Sequence, residues 1–213
     1  MYYIAILDHH HLDHSFFMKT FAESMARQKG CSGIILHGDS PYTDRLIQTG
    51  MPRSEAEQRS IRDLNHRIVA LLADNGISGI GVNGYQKGII QRDASGRLII
   101  GKEWIENRPA GTHLVLSNLV WDNRQEKTAP VRLGELAGAL SSELGRERII
   151  VFPTGVDDGV IFRKEHTGNN DNLENMTDSI PEDLRPLPKN SFLCTPLEFG
   201  NLPNSDCLQK INH

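Results

Sequence analysis

The chain has 213 residues, 38% of them hydrophobic and 23% charged, with a net charge of -4. That size suits one large domain, or one domain with a tail, and the acidic balance with no basic stripe argues against a nucleic-acid partner. No stretch approaches the about 18 apolar residues of a membrane helix. Met1 to Asp8 lacks a basic leader and its apolar run is too short for a signal peptide, so a cytoplasmic location is expected. Cys31, Cys194 and Cys207 are odd in number and widely spaced, and read as reduced thiols.

Tyr2 to Leu7 is a buried-type strand, followed by a polar loop from Asp8 to His14. Ser15 to Lys29 reads as a helix with Phe17, Phe21 and Met25 at spacing four, and Gly30 stops it. Ile34 to Leu36 is a second strand. It runs into His37-Gly38-Asp39-Ser40-Pro41, where Ser40 suits an N-cap and Pro41 a first helical position. Ser54 to Ala73 is the clearest helix. Ser54 and Glu57 have capping-box spacing, and Ile61, Leu64, Ile68 and Leu71 make one apolar stripe.

Ile77 to Val82 is a third strand. Gly88 to Gln91 and Arg97 to Ile100 flank Asp93-Ala94-Ser95-Gly96 as a hairpin. Thr112 to Ser117 is another strand, Leu133 to Leu144 a helix stopped by Gly145, and Arg148 to Phe152 a strand, with a further short one over Val160 to Phe162. Strands alternating with helices predict an α/β domain with a mainly parallel sheet covered on both faces. The boundary falls near Lys164: residues 1–164 form the α/β domain, and residues 165–213, rich in Pro and Asn with no clear periodicity, form an irregular tail.

Four blocks, in order, resemble the N-acetylglutamate kinase branch of the amino-acid kinase family: Ile34 to Ser40, Asp63 to Leu72, Gly79 to Gly84, and Leu136 to Leu140 leading to Ile149 to Phe152. The resemblance implies a three-layer α/β/α sandwich with a mainly parallel central sheet. It also implies MgATP as phosphoryl donor, a small acidic metabolite such as an N-acyl amino acid as ligand, and a homodimer.

The catalytic segments of that family are not matched. Where it carries Lys-x-Gly-Gly after the first strand, this chain has Ile6-Leu7-Asp8-His9. Where it carries Asn-x-Asn-x-Asp, this chain has Pro130-Val131-Arg132-Leu133-Gly134, so Gly134 stands for an organising aspartate. Thr154-Gly155-Val156 replaces Thr-Asp-Val, and the segment with a second lysine has no counterpart in 165–213. Loss of one cation around a phosphoryl group in flight costs about 10³-fold or more. The expectation is a divergent kinase-like binder without ATP-dependent phosphoryl transfer.

Several residues are candidates for binding. His37, Gly38, Asp39 and Ser40 form a turn that either binds an anion through backbone N–H groups or simply joins strand to helix. Asn83, Gly84 and Lys87 follow a strand of the same sheet, at the edge where ligands collect in open α/β sheets; a plain hairpin loop is the rival reading. Arg53 is either a carboxylate anchor or a solvated helix-start residue. Asp8, His9 and His11 belong to an unusual Asp-His-His-His run. That run reads as an exposed His-rich loop, as a Mn, Fe or Zn site of a metal-dependent phosphoesterase, or as direct ligand contacts. A working kinase with relocated charges at Lys87, Lys102 or Arg132, and a purely interactive module whose helix and sheet edges pair with a copy of itself or an enzyme, are the remaining alternatives.

Overall fold

Tyr2–Leu7 forms strand β1, and its side chains divide by parity: Ile4 and Ile6 enter one buried cluster, Tyr3, Ala5 and Leu7 another. A strand apolar on both faces needs cover on both. The computed structural model, which describes residues 2–28, 30–145, 148–154, 159–161, 180–181, 184–202 and 208–211, supplies that cover as two helical layers. After β1 come α1 (His9–Asp13), α2 (Ser15–Arg27), β2 (Ser32–His37), α3 (Tyr42–Gln48), α4 (Arg53–Asp74) and β3 (Gly79–Asn83). Then follow β4 (Ile90–Arg92), β5 (Leu98–Ile100), α5 (Lys102–Glu106), β6 (His113–Ser117), β7 (Leu119–Asp122), β8 (Lys127–Pro130) and α6 (Leu133–Leu144). The last elements are β9 (Ile149–Val151), β10 (Ser191–Leu193) and β11 (Gln209–Lys210).

Seven strands make the central sheet in the order β11-β10-β9-β1-β2-β6-β3. Six run parallel, and β11 is antiparallel at one edge. Leu12, Phe17, Phe21 and Met25 of α1 and α2, with Leu64, Ile68 and Leu72 of α4, cover one face. Leu133, Leu136, Leu140 and Leu144 of α6 cover the other. A four-stranded sheet, β5-β4-β7-β8, sends Ile90 and Val120 into the α6 side. The predicted three-layer α/β/α sandwich with a mainly parallel sheet is therefore the observed architecture.

Several local expectations change. Asp8 to His14 is not an open loop: the Asp8 carboxylate accepts the backbone N–H groups of His10 (2.9 Å) and His11 (3.1 Å) and starts α1. No Ser54–Glu57 capping box forms. Pro52 occupies the N-cap position of α4 with no side-chain cap, and Arg53 is the first helical residue. The hairpin β7–β8 had no alternating sequence to announce it; the Asp122 carboxylate ties its turn by accepting from the N–H groups of Arg124 and Gln125.

The stretch expected to be irregular after residue 165 contains a strand. Ser191–Leu193 pairs in parallel with β9, and Phe199 lies fully buried between Phe21 (5.3 Å between ring centroids) and Phe152 (5.4 Å). Val160 makes an isolated bridge to Thr154, while Phe162 and the Gly155-Val156 pair lie outside the described residues.

Candidate functional site

Because β1, β2, β3, β6 and β9 run parallel, the segments that leave their carboxyl ends gather at one edge. Beneath that edge lies a buried polar brace. Asn65, on the sheet-facing side of α4, donates through Nδ2 to His37 Nε2 (3.0 Å) and to the carbonyls of Val115 (3.1 Å) and Val82 (3.3 Å). It thereby ties α4 to β2, β3 and β6. A Cβ at Gly81 would overlap Asn65 Oδ1, so glycine is what allows the amide to reach the sheet.

His37 Nδ1–H donates to the Gly38 carbonyl at 3.0 Å, which fixes the tautomer whose Nε2 accepts from Asn65. Burial is the main force on this ring and lowers its pKa from 6.5 to about 4. The His37 ring is accordingly a neutral structural acceptor under the loop. Ser40 is also buried, and its hydroxyl oxygen accepts the Tyr42 N–H (3.2 Å) at the start of α3.

Above the brace is a cleft of about 250 Å³, whose walls include His9, Gly38, Asp39, Glu57, Asn118 and Arg132. His9 Nδ1 stands 3.4 Å from the Asp39 carboxylate. The hydrogen bond to Asp39 is the largest influence on His9 and raises its pKa above the ordinary value, against partial burial. Burial pushes the Asp39 carboxyl up, but the His9 hydrogen bond and charge, with further local hydrogen bonds, outweigh it and leave Asp39 below its usual range. Glu57 is raised, first by burial and then by the Asp39 charge. Two carboxylates that share a cleft have thus been driven apart in acidity.

Asn118 closes the back wall. Its Nδ2 donates to the Val131 carbonyl at 2.7 Å, its backbone N–H donates to the His37 carbonyl at 2.9 Å, and its Oδ1 is buried without a hydrogen-bond partner. An acceptor in that state costs about 1–3 kcal/mol unless a donor arrives. Arg132, exposed at the N-cap of α6, also lines the cleft, next to the Val131 that Asn118 holds.

Of the residues expected at the site, Gly38, Asp39 and His9 meet in this cleft. Asn83 lies buried beside it in the sheet, its Oδ1 accepting the Ser117 hydroxyl at 2.9 Å. Gly84 is held against the Leu119 carbonyl, 2.6 Å from where a Cβ would sit. Arg53 is exposed on the first turn of α4, near enough to counter the upward push on Glu57. Lys87 has φ +53° and lines a different cavity together with Lys102 and Glu143.

Asp8 and His11 face inward, with Asp8 Oδ1 and His11 Nδ1 2.8 Å apart, both side chains almost fully buried. His9 points to Asp39 instead, and among the described residues no group of three or more His, Cys, Asp or Glu side chains is arranged to hold a metal ion. Sequence reasoning did not place Asn65, Glu57 or Asn118 in the site. Asn65 sits at a core-facing position of an amphipathic helix and Asn118 directly follows a buried strand; a polar residue in either place needs a partner, which was the usable signal.

No protein-family model matches the chain, and no curated protein matches it. Solved structures do. An isopentenyl phosphate kinase superposes with TM-score 0.63 at 18% identity, covering 94% of each chain. An aspartate kinase from Synechocystis gives 0.58 at 15% identity over 72% of this chain and 28% of its own. An N-acetylglutamate synthase from Neisseria gonorrhoeae, complexed with coenzyme A and N-acetyl-glutamate, gives 0.56 at 15% identity over 86% of this chain and 49% of its own. Among the described residues no helix is long and apolar enough to cross a membrane. With six parallel strands between two helical layers and these neighbours, the chain has the amino-acid kinase fold.

Proposed function

We propose that this protein is a divergent member of the amino-acid kinase group, close to the N-acetylglutamate kinase branch, that binds a small acidic metabolite in the cleft and does not transfer phosphoryl groups from ATP. One observation carries this reading: two carboxylates, Asp39 and Glu57, and no lysine line the described walls of the cleft. A triphosphate there meets two carboxylates that offset Arg132 and His9, where phosphoryl transfer needs an excess of cations. The lysine segment expected after β1 is replaced by Asp8, whose carboxylate is committed to capping α1 and to His11.

The geometry supports a ligand with one carboxylate and one amide N–H, the pattern of an N-acyl amino acid. Arg132 offers a guanidinium to the carboxylate. Asn118 Oδ1 offers an acceptor to the N–H, and the His9 charge offsets that of Asp39. The protein acts as a homodimer in this proposal, which light scattering tests directly.

The deciding experiment is thermal melting with N-acetyl-aspartate and N-acetyl-glutamate as probes. Each at millimolar concentration is expected to raise the Tm, Arg132→Ala is expected to cancel the rise, and MgATP is expected to give none. A rise with MgATP, or phosphoryl transfer to either probe, overturns the proposal.

A further inference from the structure

Glu57 lines the cleft as a half-buried carboxyl with no hydrogen-bond or ion-pair partner among the described residues. Its ionisable neighbours on the wall are better served. Asp39 has His9 at 3.4 Å, and Arg132 is exposed to water.

The turn of α4 that carries Glu57 is anchored on both sides of it. Ala56 is fully buried. Gln58 donates through Nε2 to the Thr128 carbonyl at 3.3 Å, while its Oε1 accepts the Thr128 hydroxyl at 3.1 Å and an Arg62 N–H at 3.1 Å. Thr128 belongs to β8, which runs directly into the wall residues Pro130 to Leu133. Glu57 is thus fixed relative to that wall by contacts that do not involve its own carboxyl.

The charges around it come from four elements. Asp39, in the loop after β2, repels a Glu57 carboxylate, and Arg53, on the first turn of α4, attracts it; burial is the largest influence and raises the Glu57 pKa. His9 of α1 and Arg132 at the start of α6 share the cleft. A ligand with two carboxylates brings two further negative charges into about 250 Å³. Arg132 offers a guanidinium to one of them. The other meets Glu57, an acceptor with no donor to give. Two carboxyl groups brought within hydrogen-bonding range share a proton, because both cannot stay ionised there.

Given a cleft that binds an acidic N-acyl ligand, as argued above, we propose that Glu57 is the specificity residue for the ligand's second carboxylate: it takes a proton from solvent as the ligand binds, and the new O–H donates to a carboxylate oxygen of the ligand. One proton enters with each ligand, and no covalent bond of the ligand changes. Affinity for a dicarboxylate then falls as the pH rises, because the proton must be drawn from a scarcer supply. A ligand with an amide in place of the second carboxylate donates its own N–H to the ionised Glu57 and needs no proton.

Calorimetry on the full chain at pH 6.0, in buffers of different ionisation enthalpy, counts the protons. At that pH His9, raised above its ordinary value by the Asp39 hydrogen bond, is already largely protonated and contributes little. N-acetyl-glutamate is expected to bind with uptake of more than about half a proton, and N-acetyl-glutamine with less than about 0.2. Glu57→Gln carries an N–H donor where the proton is placed, so it is expected to keep N-acetyl-glutamate affinity within about threefold and to lose the uptake. His9→Gln is expected to retain the uptake. Carbon-13 NMR of the Glu57 carboxyl gives a readout independent of any variant: its titration is expected to move up by at least about one pH unit when N-acetyl-glutamate saturates the protein, and not with N-acetyl-glutamine. N-acetyl-glutamate binding without proton uptake, uptake that survives Glu57→Gln, or uptake lost in His9→Gln overturns the role of Glu57 and leaves the acidic-ligand cleft standing. Absence of binding by N-acetyl-glutamate, N-acetyl-aspartate and N-acetyl-glutamine alike overturns both.

Discussion

The two ends of the central sheet are built from the same strands and the same two helices, yet the side chains that line them differ in kind. At the carboxyl end the chain places His9, Asp39, Glu57 and Arg132 around a small cleft. At the amino end it places amides, hydroxyls, a thiol and a neutral imidazole around a larger one. The helix direction sets part of this difference: α4 begins near the cleft, where its dipole favours the carboxylates of Asp39 and Glu57, and ends near the larger cavity. Both ends also contain a buried histidine held neutral, His37 at one and His113 at the other, each fixed by a backbone group. The charges therefore come from the loops, and the histidines serve the framework.

The largest expected break in this contrast comes from Gly134. A Cβ there would overlap the Leu184 carbonyl, and backbone cannot move aside as a side-chain tip can. Gly134→Ala should cost about 3 kcal/mol in urea unfolding and disturb the neighbouring Arg132 wall of the cleft while sparing the far cavity. Gly138→Ala meets only the Pro188 ring, at 3.3 Å, and should cost less than about 1 kcal/mol.

Acid comes next in size, and it acts on both ends at once. His37 and His113 bind a proton below pH 6.5 when unfolded but only near pH 4 when folded. Their full contribution is present above pH 6.5, and stability falls as the pH drops toward 4, by up to roughly 3 kcal/mol for each. Urea midpoints at pH 7, 5 and 4 check this, and His37→Asn should flatten the decline by its share.

Smaller still is the cap of α1. Asp8→Ala removes the carboxylate that accepts two backbone N–H groups and is the buried partner of His11, for an expected loss of about 2 kcal/mol. The smallest effect is the most informative about charge in the cleft. Asp39→Asn should lower the His9 pKa, read by NMR titration, while changing stability by less than about 0.5 kcal/mol, because both groups are partly solvated.

The architecture was legible because its periodicity is strong: β1 and β2 are apolar on both faces, α4 and α6 carry long apolar stripes, and glycine ends α6 in the left-handed conformation. The cleft was half legible. Gly38 and Asp39 follow directly from a strand-turn-helix reading, whereas Glu57 and Asn118 become neighbours only through the topology, across 61 residues of sequence. Asp8 misled for a physical reason: a carboxylate followed by three histidines has the composition of a metal loop, but the same carboxylate is also a helix cap, and the cap prevailed. Ser191–Leu193 carries too few residues to show a period and takes its strand geometry from β9.

That late strand has a bearing on how the chain reaches its final form during synthesis. Between the moment β9 leaves the ribosome and the arrival of Ser191–Leu193, some forty residues later, one border of a largely assembled parallel sheet has no hydrogen-bonding neighbour, and the niche later filled by Phe199 stands open. A nascent chain stalled in that interval would present a sticky border to other copies, so the sheet's vulnerability to aggregation is concentrated between the emergence of β9 and that of Ser191–Leu193.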